Sequence, residues 1–206
     1  MKEDILEQLV DEYLQHKGYL TLHNVKFKPD KSHAKFDPKQ DSVASDIDVI
    51  GFNPNLTGVE RVVVVSCKSW QGGLDASATT KAIHEKKIIS GRDAWRGFRE
   101  LCEPKWAMAF INEIERITTT RQFTYWTAVT KLKGDVSREI WERHPPFLEL
   151  LEGNPIKLIT FAEMYTEVYT MLSTTPAASE FGRMVQLMKA SGVHPVASLA
   201  PRAPIG

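Results

Sequence analysis

Two short runs carry residue types able to cut a phosphodiester. Ser45-Asp46-Ile47-Asp48-Val49-Ile50-Gly51 places an acid at the entry to an apolar stretch. Arg61-Val62-Val63-Val64-Val65-Ser66-Cys67-Lys68 ends a second apolar stretch on a lysine, just before Trp70-Gln71-Gly72-Gly73. If these stretches are neighbouring strands, Asp48 and Lys68 meet at one end of a sheet. Hydrolysis of a phosphodiester needs a cation held against the phosphate and an activated water. Carboxylates suit Mg²⁺ (or Mn²⁺), a hard ion that prefers oxygen ligands. The ion acidifies its water and offsets charge growing on the phosphate. A lysine beside it stabilises that charge or positions the nucleophile.

A single aspartate holds a metal weakly, and Ser66 stands where a second acid is expected. The backbone carbonyl of Cys67 is one further donor, and Ser66 can add a hydroxyl or hold a water. Glu85, in the segment after the Gly72-Gly73 turn, is the leading replacement carboxylate, ahead of Asp75. Glu7, in the first helical segment, is placed to supply or orient a water. Each residue alone has a plainer reading. Asp46 and Asp48 could pair with Lys26 or Lys28, Glu85 with Lys81 or Lys87 along a helix, and Lys68 could be a solvent lysine. The signal lies in their combination and order.

The elements that must position these residues follow from periodicity. Ile5, Leu6, Leu9, Val10, Tyr13 and Leu14 recur with helical spacing over 3–16, and Gly18 ends that helix. Tyr19 to Phe27 reads as a strand, and 28–42, with Pro29 and Pro38, as a long loop. Asp46–Phe52 and Val62–Cys67 read as strands, the second a β-branched run typical of a sheet interior, and together they suggest a hairpin. Helical segments are expected over 76–90, 93–102, 105–117 and 136–151, the last broken at Pro145-Pro146. Strands are expected at 123–129 and 156–159, a helix at 161–172 capped by Thr160, a linker at 173–178, and a last helix at 180–190. The order predicts an α/β fold, a central mixed sheet flanked by helices. One domain over 1–192 is expected, with the motif core in 3–90, a helical and strand portion in 104–192, and a Pro- and Ala-rich flexible tail over 193–206.

Bulk composition is that of a globular domain, with 42% hydrophobic and 25% charged residues. The 26 basic residues balance the 26 acidic ones, so total charge names no partner. No run is long enough to span a membrane. Cys67 and Cys102 supply no disulfide framework, and a reducing, cytoplasmic setting is the simplest inference. The six histidines lack the spacing of a structural zinc site. Locally the charge is uneven. Lys26, Lys28, Lys31 and Lys35 crowd the loop after the first strand, and Lys81, Lys86, Lys87 and Arg92 follow the Lys68 turn. Such stretches can form a positive rim around a groove in a neutral protein. Trp95, Phe98, Trp106, Phe110, Tyr125 and Trp126 read as core rather than base-stacking platforms. Tyr165, Tyr169, Met171, Phe181, Met184 and Met188 read equally as core or as a surface for a partner subunit.

These residues resemble the motif of the PD-(D/E)xK nuclease superfamily, the restriction-endonuclease-like fold. Within it, the amino-terminal pattern is similar to the archaeal Holliday-junction resolvases and the Mrr-like restriction enzymes. Glu7 matches the helix Glu, Gly18-Tyr19 the step after the helix, Asp48-Val49-Ile50-Gly51 the acidic strand, and Ser66-Cys67-Lys68 the strand ending in E-x-K, with Ser in place of Glu. The likeness covers residues 3–75. Some restriction enzymes of the superfamily carry S-x-K and recruit a Glu from the following helix, as Glu85 would here. The resemblance implies a Mg²⁺-dependent endodeoxyribonuclease acting on DNA in phage defence, restriction or repair, as a homodimer or within a larger complex. Lys26, Lys28, Lys31, Lys35, Lys81, Lys86, Lys87 and Arg92 would then contact phosphates. Two alternatives stand beside it: a catalytically degenerate nuclease fold serving as a DNA-binding or assembly subunit, and a scaffolding domain with no nucleic-acid role.

Overall fold

A computed structural model describes residues 4–89, 91–134, 138–177 and 179–194. In chain order the elements are α1 (Ile5–His16), β1 (Leu20–Phe27), α2 (Pro38–Asp41), β2 (Ser45–Phe52), β3 (Val62–Lys68), α3 (Ala76–His84), β4 (Ile88–Ile89), β5 (Arg92–Asp93), α4 (Arg99–Cys102), α5 (Pro104–Thr118), β6 (Thr124–Val129), α6 (Glu139–Glu142), α7 (Pro145–Leu150), β7 (Ile156–Thr160), α8 (Phe161–Met171) and α9 (Glu180–Ala190). A 3-10 turn, Ala94–Phe98, leads into α4.

Five strands form one mixed sheet in the order β1-β2-β3-β6-β7. β1, β2 and β3 run antiparallel as a meander, whereas β3, β6 and β7 are parallel. Parallel strands need crossovers, and the two here carry α3–α5 and α6–α7. The Val62–Val65 run lies at the centre because both its faces are covered. Val62 and Val64 pack with Ile50, Tyr125, Phe98, Trp106 and Trp141, while Val63 and Val65 pack with Val49, Trp126, Leu9, Tyr13 and Val168. Helices α4–α7 therefore cover one face, and α1, α8 and α9 the other. Alternating side chains of one valine run thus feed two separate cores.

Local chemistry sets the element ends. Asp4 caps α1 by accepting the Leu6 amide, and Thr160 and Glu163 form a reciprocal capping box on α8. Pro104 starts α5 in the first turn, where its missing N–H costs nothing, and does not interrupt it. The 76–90 helix stops at His84. Lys86 takes a left-handed φ of +50°, and the chain then forms the β4–β5 hairpin. Within the loop expected over 28–42, Asp37 caps the short α2, whose Asp41 is buried against Lys105 and Trp106. The break expected at Pro145-Pro146 separates α6 from α7. The aromatics assigned to core are mostly enclosed: Phe98, Trp106, Phe110, Tyr125 and Trp126 are buried. Tyr165 and Tyr169 pack with Phe181 across α8 and α9, leaving Met171 and Met184 exposed. Of the expected 193–206 tail, all but Val193 and His194 lies outside the described residues. No helix among the described residues is long and apolar enough to cross a membrane.

Candidate active site

The site forms where β2 and β3 stop pairing. Their ladder runs from Phe52↔Val62 to Val49↔Val65, and the next step in that register would set Asp48 opposite Ser66. The strands part there instead. Asp48 Oδ2 accepts the Cys67 amide at 2.5 Å, so the carboxylate takes a hydrogen bond that a backbone carbonyl would otherwise take. β3 remains paired with β6 through Lys68↔Val129. A gap with an acid at its rim is held open by a sheet that is rigid on its other side.

Lys68 and Ser66 lie two residues apart on one face of β3, and Lys68 Nζ donates to Ser66 Oγ at 2.8 Å. The ammonium also stands 5.3 Å from the centre of the Phe98 ring. Tyr125, from β6, interacts with Ser66 and donates its hydroxyl to Glu100 Oε1 at 2.5 Å. Glu100 belongs to α4, is only 6% exposed, and is close enough to raise the Asp48 carboxyl electrostatically. Tyr125 thus holds a helix carboxylate on the face of the sheet that Val64 and, by alternation, Ser66 share.

Glu7 of α1 approaches from the other face of the sheet. Partial burial, followed by the charges of Asp48, Asp4 and Asp46, pushes its carboxyl up to about 7, opposed by His23. Asp48 is pushed up to about 6, by burial first, while Lys68 and the Cys67 amide pull it down. The acids at this rim outnumber the cation among them, a condition that a divalent ion would relieve.

Stability without metal should record this crowding. Both carboxyls titrate higher in the folded chain than in the unfolded one. Their favourable contribution to folding is complete below about pH 4 and is lost as pH rises through about 6 for Asp48 and about 7 for Glu7. Asp48→Asn keeps an acceptor for the Cys67 amide and removes the charge. In EDTA at pH 8 it is expected to be more stable than the parent by about 1–3 kcal/mol, since each tenfold change in a proton equilibrium is worth about 1.4 kcal/mol. The gain should shrink to nothing near pH 4. Equal melting temperatures for parent and variant across that range would contradict the raised carboxyl.

The expected site residues divide. Asp48, Lys68, Ser66 and Cys67 lie at the strand gap, and Glu7 stands on the other face within electrostatic range of Asp48. Glu85 lies elsewhere. It follows the last residue of α3 and is exposed, its carboxylate 2.6 Å from Lys87 and 4.0 Å from Lys81, and those lysines hold it below the usual carboxylate range. Helix α3 ends at His84 and leaves this residue exposed, whereas Glu100 of α4 is buried and accepts from the Tyr125 hydroxyl. Asp75 caps α3 by accepting the Ala78 amide. Asp46 is paired across the sheet with Lys26 at 2.7 Å.

The basic residues of the two stretches are engaged differently. Lys26, Lys81 and Lys87 are engaged with Asp46 or Glu85, Lys86 lies in the turn after α3, and Lys28, Lys31 and Lys35 are exposed on the loop after β1. The Arg92 side chain lies outside the described residues. None of the other seven lines the cleft of about 1080 Å³ that opens beside Lys68. Its further cations are Arg96, Arg99 and Lys133. Arg96 is paired with Asp93 at 2.9 Å. Lys133 is carried there by the turn after β3, where Leu74 exchanges backbone hydrogen bonds with Lys131 and Lys133. Gly73 and Gly134 permit that approach. Both have positive φ, and a Cβ would stand 2.6 Å from the Lys131 carbonyl oxygen at Gly73 and 2.3 Å from Asp75 Oδ2 at Gly134.

The donor set is of the right type for a hard divalent ion: Asp48, Glu100 and Glu7 offer only oxygens. Among the described residues no three His, Cys, Asp or Glu side chains already converge on one point. Asp48 is turned to the Cys67 amide and Glu100 to Tyr125. Sequence reading did not single out Glu100, Tyr125 or Lys133 for the site, whereas Arg99 closes the basic stretch 81–99 that was expected to contact phosphates. The cue for Glu100 was that it directly follows the basic stretch 81–99. Comparison with protein-family models, curated proteins and solved structures returned no match.

Proposed function

We propose that this chain is a metal-dependent endodeoxyribonuclease with a restriction-endonuclease-like core, acting in phage defence, restriction or repair. The observation that carries the reading is the parting of β2 from β3, which leaves Asp48 and Lys68 at one gap, with Glu100 held on the same face of the sheet by Tyr125. The antiparallel meander joined to a parallel β3-β6-β7 half supports the same reading. Asp48 and Glu100 would hold Mg²⁺ or Mn²⁺, with the Cys67 carbonyl a further donor. When bound, the ion supplies an acidified water and offsets phosphate charge. Lys68 is poised to stabilise the attacked phosphate, because Ser66 fixes its ammonium on one side and Phe98 on another. Glu7, with its carboxyl near neutrality, suits exchange of a proton with a water.

A second reading is favoured by one observation. Glu100 and Asp48 are each engaged in a hydrogen bond away from a common point, which is the arrangement of a degenerate site that retains DNA binding alone. Purified chain on supercoiled, linear, branched and single-stranded DNA separates the two. Nicking or cutting with Mg²⁺ or Mn²⁺ and none in EDTA is the expected result. DNA retained on a gel but left intact with both metals would support the degenerate reading and end the enzymatic one.

A further inference from the structure

One large aromatic was not placed in the core by the fold. Trp70 follows Lys68 by two residues, is 43% exposed, and lines the cleft. Its indole does not hang free. It meets the Phe98 ring edge-on at 5.9 Å, and a Cβ at Gly97 would stand 3.7 Å from its Cζ2. Phe98 also lies beneath the Lys68 ammonium, so one buried ring supports both the lysine and the indole. A braced, exposed ring loses little freedom when something stacks on it.

Arg99 lines the same cleft. Its guanidinium lies 4.6 Å from the Trp106 ring, and its Nη1 is buried with no hydrogen-bond partner among the described residues. A buried guanidinium N–H without an acceptor is costly unless a ligand supplies one. Asp75 and Asp93, the cleft's acids, are engaged in capping α3 and pairing Arg96. That leaves Lys68, Arg99 and Lys133 without an ion pair among the described residues. The cleft thus combines a stacking face with three cations that have no ion pair among the described residues.

We propose that this cleft seats an unpaired nucleotide of a DNA strand, its base stacked on Trp70 and its phosphate held by Arg99 and Lys133. A base within a continuous duplex has both faces covered and cannot lie on an indole. The substrate is therefore DNA with a single-stranded or extruded nucleotide beside the attacked phosphate. This rests on the nuclease reading for the neighbouring Lys68 site, but the stacking contact can be tested without cleavage.

The test measures anisotropy of a labelled oligothymidine and of a blunt duplex of equal length, in EDTA, with the parent and with Trp70→Ala, Trp70→Leu and Trp70→Phe. The parent is expected to prefer the single strand. Trp70→Ala and Trp70→Leu should weaken single-strand binding about tenfold or more and leave duplex binding within about twofold, whereas Trp70→Phe should stay within about threefold of the parent. Three results would overturn the proposal: no single-strand preference in the parent, unchanged binding by Trp70→Ala, or Leu restoring binding as well as Phe. Mg²⁺-dependent cleavage by the parent is scored separately. Ring-dependent single-strand binding without cleavage removes the nuclease reading alone, and cleavage with ring-independent binding removes this inference alone.

Discussion

Asp48→Asn is expected to lower Mg²⁺-dependent DNA cleavage by on the order of a thousandfold or more, with the fold intact. Asparagine preserves shape and an acceptor for the Cys67 amide, so the β2–β3 gap keeps its form. What disappears is the negative charge that, on the proposed reading, would hold the ion. Lys68→Ala should cost about a hundredfold to a thousandfold by a different route, because it removes the cation beside the phosphate while leaving the carboxylates. Loss in Asp48→Asn should not be recovered by raising Mg²⁺ if charge is essential to holding the ion. Melting curves complete the test, since a variant that melts like or above the parent while failing to cut has lost chemistry and not structure. Cleavage at the parental rate by either purified variant would remove that residue from the site.

Glu100→Gln is expected to reduce cleavage about a hundredfold or more, and Glu85→Gln to leave it within about twofold of the parent. The pair separates two positions for the recruited carboxylate. Gln at 100 can still accept from the Tyr125 hydroxyl, so loss of activity would report the missing charge. Glu85 sits in solvent between two lysines, where neutralising it removes exposed ion pairs that contribute little. Full activity in Glu100→Gln would end its role, and a large loss in Glu85→Gln would mean that α3 extends further on DNA than it does here. Tyr125→Phe gives a useful comparison. It frees Glu100 from the hydroxyl without altering its charge, and so should cost less than Glu100→Gln.

Much of the scaffold was legible because its signals are local. The valine run, the apolar spacing of α1, the Thr160 cap and the proline break before α7 each act within a few residues. The hairpin of β2 and β3 was legible too, since two consecutive strands joined by a short turn fall into register with few alternatives. Glu85 misled because a continuous helix over 76–90 would have carried it alongside β3. The left-handed Lys86 and the β4–β5 hairpin stop that helix at His84 instead. Periodicity does not show where a helix gives way to a two-residue strand.

The sequence by itself determined a mixed α/β sheet with a β-branched central strand, and an acid and a lysine at the ends of adjacent strands. These follow from side-chain type and spacing along a contiguous stretch. Only the tertiary structure decided which helix carboxylate is buried against the sheet, which cations face the cleft, and which tryptophan stays in solvent. Glu100 meets the hydroxyl of Tyr125, which is 25 residues further on in a strand. That meeting depends on how α4 packs over the parallel half of the sheet, a long-range burial outcome that no local pattern encodes.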